Sequence, residues 1–72
     1  MKAYKIDLRE VSKVKEFVQA ASNAVYDVAL ESEDGKFRVD GKSILGVFSL
    51  DLSKPVIVKF NEAEEELFKG FI

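Results

Sequence analysis

The sequence predicts a single α+β domain, an open-faced sandwich in which helices cover one face of an antiparallel sheet. Three observations predict it. Apolar residues alternate with period two near the start and again around residues 56–60, they recur every three or four residues in between, and turn chemistry marks each change of period. With 72 residues there is room for one core, and a domain of this size buries only about 60% of its unfolded surface.

Tyr4, Ile6 and Leu8 alternate with Lys5 and Asp7, the pattern of a strand with one buried face. From Val11 the spacing changes: Val11, Val14, Val18, Ala21 and Val25, widened by Phe17, Ala20 and Ala24, predict an amphipathic helix ending near Asn23. Asp7 stands three residues before Glu10, the capping-box spacing, which predicts that this helix begins early and includes Glu10. Val25 to Leu30 is rich in strand-forming residues, Glu33-Asp34-Gly35-Lys36 provides a turn, and Phe37 and Val39 resume the alternation, so strands two and three form a hairpin.

Asp40-Gly41-Lys42 ends the third strand, and Ser43 is positioned to cap a helix of about two turns through Leu50. Within it Ile44, Val47 and Leu50 would face the sheet, leaving Leu45 and Phe48 outside. Pro55 can precede a strand but not occupy its centre, so the fourth strand is Val56–Phe60. Asn61 then caps a short last helix with Glu62, Glu64, Glu65 and Glu66 near its start, where the helix dipole favours acids, and with Ala63, Leu67 and Phe71 on one face. The element order is βαββαβα. Element order alone does not fix strand order, because ferredoxin-like domains share the βαββαβ succession and periodicity does not separate the possibilities.

Composition narrows function. The chain is 47% hydrophobic and 33% charged, with net charge −2 and acids and bases interspersed, so it lacks the basic stripe that nucleic acid requires. Histidine and cysteine are both absent, which removes disulfides and the usual zinc and haem ligand sets; no metal or cofactor is expected. No apolar segment approaches the roughly 20 residues that span a bilayer, and the first residues carry no signal-peptide pattern. A cytoplasmic location is the expectation.

The stretch Asp34-Gly35-Lys36-Phe37-Arg38-Val39-Asp40-Gly41-Lys42-Ser43-Ile44-Leu45-Gly46-Val47-Phe48-Ser49-Leu50, with Glu16-Phe17-Val18-Gln19-Ala20-Ala21 at ungapped spacing before it, resembles the phosphocarrier protein HPr family of the bacterial sugar phosphotransferase system. The resemblance covers roughly Val14 to Phe60. It implies a four-stranded sheet of order 1-4-2-3 with three helices on one face. In that family a phosphorylatable histidine sits just before the first helix in a glycine-leucine-histidine-x-arginine-proline motif. Counting back from Phe17 puts Glu10 at the histidine, Ser12 at the arginine and Lys13 at the proline. A carboxylate is a poor acceptor in this relay and Ser12 offers no cation to the phosphate, so the resemblance implies a relative that cannot carry phosphohistidine.

Ser43 aligns with the serine that a dedicated kinase phosphorylates in many Gram-positive relatives; its plainer role is an N-cap worth about 1 kcal/mol. Leu45 and Phe48 match the family's exposed apolar contacts, and their plainer role is packing against the first helix. The four late glutamates lack the loop carbonyls of a calcium site. An acylphosphatase-like enzyme would need an anion-binding loop after the first strand, for which Arg9 is the sole cation and no glycine accompanies it. The reading is therefore a non-enzymatic, HPr-like regulatory or docking protein whose partners are proteins, a serine kinase or a transcriptional regulator among them. The alternative is a structural or small-molecule-binding module of the same fold, for which an apolar contact on the open sheet face or the last helix would be expected.

Overall fold

The computed structural model describes residues 1–72 and has β4, Val56–Phe60, as the spine of its sheet. β4 pairs antiparallel on one side with β1, Lys2–Ile6, and on the other with β2, Ala29–Ser32, which pairs in turn with β3, Arg38–Asp40. The strand order is therefore β1-β4-β2-β3 in a four-stranded antiparallel sheet. The α+β class and the order 1-4-2-3 are as expected. Two α-helices, α1 (Val11–Ser22) and α2 (Ile44–Phe48), and a 3₁₀ segment, Glu62–Phe68, complete the chain.

Register sorts the side chains. Tyr4 and Ile6 of β1 lie opposite Val58 and Val56 of β4, and Leu30 of β2 lies opposite both Val58 and Val39. These residues share the helix side with Phe60. Because strand side chains alternate, Lys5, Ile57, Glu31 and Arg38 form a row across the opposite face, beside Ala3, Lys59, Ala29 and Asp40. That open face carries ion pairs: Glu31 lies 3.1 Å from Lys59 and 3.6 Å from Arg38, and Lys5 lies 3.0 Å from Glu33. Charges in this density are the opposite of an apolar oligomer contact.

The core joins Ile6, Leu30, Val56, Val58 and Phe60 to Leu8, Val14, Phe17, Ala21, Val47, Leu50 and Phe68. Its centre is aromatic. Phe68 sits between Phe60, with centroids 4.7 Å apart, and Phe17, at 5.7 Å, and Phe71 meets the Phe17 ring edge-on at 5.5 Å. Three ring contacts thus hold the C-terminal residues against the core.

Several local expectations are corrected. Glu10 is extended (φ −86°, ψ 132°) and is the N-cap residue of α1, so the helix does not start early. Asp7 accepts a bond from the Arg9 backbone N–H at 3.0 Å instead, an Asx turn that satisfies the carboxylate outside the helix. β1 ends at Ile6, and Leu8 reaches the core from the following loop. Val25–Val28 is not strand: Val25 is exposed and only Ala29 begins the ladder. Phe37 precedes β3 and is also exposed; the turn before it is closed by backbone bonds from Ser32 N–H to the Phe37 carbonyl and from Gly35 N–H to the Ser32 carbonyl, both 2.9 Å, and by side chains, with Ser32 Oγ donating to Asp34 at 2.6 Å and the N–H groups of Lys36 and Phe37 bonding Asp34 and Ser32 Oγ. Gly35 takes φ 75° there, a left-handed conformation that suits glycine. The final element is 3₁₀ and is broken at Glu64, which has φ −110° and ψ 17°.

Candidate functional site

α2 presents the clearest exposed feature. It is five residues long, and its inward side is Val47, fully buried, followed by Leu50 just beyond its end. Leu45 is 82% exposed, Phe48 44% and Ile44 39%. The expected inward position of Ile44 is therefore wrong. A helix this short is anchored by one turn, and the turn that buries Val47 leaves Ile44 at its flank. Residues three and four apart are neighbours on a helix, so Phe48 adjoins both Leu45 and Ile44, and the three make one apolar strip. Gly46 lies beneath it on the Val39 side, where a methyl group would stand 3.5 Å from Val39 Cβ.

Ser43 introduces this strip as a cap. Its Oγ accepts the Gly46 N–H at 3.1 Å, and its own N–H donates to the Asp40 carbonyl at 3.0 Å. The residue is half-buried. Its neighbour Lys42 reaches in the other direction and donates from Nζ to the Ala24 carbonyl at 2.8 Å, tying the start of α2 to the end of α1. Gly41 makes this approach feasible: it is buried, its N–H bonds the Val28 carbonyl at 2.7 Å, and a Cβ there would stand 2.8 Å from Val28 Cγ1 and 3.3 Å from the Phe17 ring. Nothing in the local pattern of Asp40-Gly41-Lys42 beyond a turn signal announces these roles. Both partners lie more than ten residues away in sequence.

The positions aligned with the carrier motif lie at the start of α1. Glu10, Ser12 and Lys13 are all exposed. The Glu10 carbonyl accepts the N–H groups of Lys13 and Val14, while its carboxylate caps nothing. Asp7, Arg9, Glu10, Lys13, Gly70 and Phe71 line an open depression of about 510 Å³. Arg9 is not free within it. Its guanidinium holds Asp7 through Nε, at 3.1 and 3.0 Å, and through a terminal nitrogen, at 2.8 Å. The hydrogen bond from Arg9 keeps the Asp7 carboxyl below the ordinary aspartate range, and Asp7 in turn raises Arg9. Lys13 Nζ lies 6.0 Å from the centre of the Phe71 ring. Two cations facing two carboxylates give a depression of mixed charge, a poor receiver for a phosphate.

The four late glutamates disperse. Glu62 pairs with the N-terminal ammonium at 3.0 Å, Glu65 with Lys2 at 3.5 Å and Glu66 with Lys69 at 2.8 Å, while Glu64 bonds backbone N–H groups of Val25 and Tyr26. No group of three or more acidic side chains is arranged to hold a metal ion. No helix is long and apolar enough to cross a membrane.

No protein-family model matches the chain, and neither a curated protein nor a solved structure does.

Proposed function

We propose that this protein is an HPr-like docking module of the bacterial sugar phosphotransferase system that does not carry phosphohistidine and is not an enzyme. The observation that carries the reading is the exposure of Leu45 and Phe48 directly after the Ser43 cap. These are the two side chains that the resemblance assigns to partner contact, and their alternative role, packing under α1, would have buried them. The strand order β1-β4-β2-β3 adds support, being the order that the resemblance implies.

Removing about 100 Å² of apolar surface from water is worth roughly 2.5 kcal/mol at 25 cal/mol per Å², and the cost of association offsets much of that, so anchors of this size fit a weak, reversible contact that needs polar contacts around them. Carrier chemistry is lost because Glu10, Ser12 and Lys13 supply neither an imidazole nor a cation fixed on the phosphate position. A partner is therefore a protein, in the first instance an HPr-type serine kinase or a transcriptional regulator that reads HPr. Ser43 is the candidate modification residue, and its role as a cap is compatible with that, because a phosphate on an N-cap residue lies against free backbone N–H groups.

The test uses a purified HPr-type serine kinase with ATP. The reading expects a mass increase of one phosphate, mapped to the peptide containing Ser43 and lost in Ser43→Ala. It also expects weaker kinase binding by Phe48→Ala. Absence of the mass increase removes Ser43 as a switch, and unchanged binding by Phe48→Ala removes the docking surface.

A further inference from the structure

We draw no further inference here: the strongest candidate, the open groove between the β2–β3 turn and the α2–β4 loop, which Phe37, Leu50, Pro55 and Val56 line together with hydroxyl-bearing and charged side chains, has nothing in the structure to show what covers it.

Discussion

The Glu64 carboxylate accepts the Val25 backbone N–H at 2.6 Å, and its second oxygen accepts the N–H of Tyr26 at 3.2 Å. This pair fastens the C-terminal 3₁₀ segment to the loop leaving α1, across 39 residues of sequence. Glu64 also marks the break in helical geometry, with φ −110° and ψ 17°. Hydrogen bonds to an ionised acceptor contribute about 1.5–3 kcal/mol. Glu64→Ala is expected to lower unfolding free energy by about 2 kcal/mol in urea titration, with loss of hydrogen-exchange protection at Val25 and Tyr26. A change below about 0.5 kcal/mol would mean that water replaces the carboxylate without cost.

Gly41 should not tolerate a methyl group. The atoms that a Cβ would meet are a buried Val28 side chain at 2.8 Å and a backbone carbonyl at 3.1 Å, neither of which can swing aside. Gly41→Ala is expected to cost about 1–3 kcal/mol, the range for overpacking. Gly70→Ala, with nothing within 4 Å of its added atom, should change stability by less than about 0.5 kcal/mol. Equal melting temperatures for the two variants would refute the close approach.

Phe68 bridges Phe17 and Phe60 and is fully buried. Truncating a buried phenylalanine costs about 3–5 kcal/mol, against a total of about 5 kcal/mol at the lower end of domain stabilities. Phe68→Ala should therefore leave a chain without a cooperative thermal transition in calorimetry, whereas Phe68→Leu should retain one at lower temperature.

Acid should weaken the fold in a predictable direction. Asp7 is lowered chiefly by the Arg9 side chain, Asp34 by the Ser32 hydroxyl, Asp51 by the Ser53 hydroxyl, and Glu62 by backbone hydrogen bonding and then the N-terminal ammonium. A depressed folded value means that the stabilisation is complete above the unfolded values, 3.8 for Asp and 4.5 for Glu, and is lost as pH falls through the folded ones. Lys2, raised mainly by Glu65, has the opposite sign: its contribution is complete below 10.5 and disappears as pH rises through the folded value. All of these groups lie at the surface, so each effect is small and falls with salt. Melting temperature measured from about pH 6 down to about pH 2 should decline, most steeply below about pH 4. A flat profile at low ionic strength would contradict the assigned pairs.

Period was enough to read α1 and β4, because each buries one regular face: Val56, Val58 and Phe60 on β4, and Val14, Phe17 and Ala21 on α1. The errors fall where a distant partner decides. Val25 continues the apolar stripe of α1 yet is exposed, since the loop is claimed by Glu64. Ile44 fits an inward spacing, but α2 is too short to bury more than Val47. The Ser43 cap was legible through cap chemistry, and the outward position of Leu45 and Phe48 through helical spacing. The tether from Lys42 to Ala24 was not, because a lysine after a turn carries no local sign of a carbonyl 18 residues back. Glu10 misled because an acid at capping-box spacing from Asp7 can equally stand at the N-cap, and Asp7 was already engaged with Arg9.

The docking strip of α2 is the central claim, and amide chemical-shift mapping tests it most directly. Isotope-labelled protein titrated with a purified HPr-type serine kinase should show its largest shift changes at Ile44, Leu45 and Phe48, and Leu45→Ala combined with Phe48→Ala should abolish them while leaving the remaining spectrum folded. Shift changes confined to the open-face residues Lys5, Glu31, Arg38 and Lys59, or no changes at saturating kinase, would contradict the account.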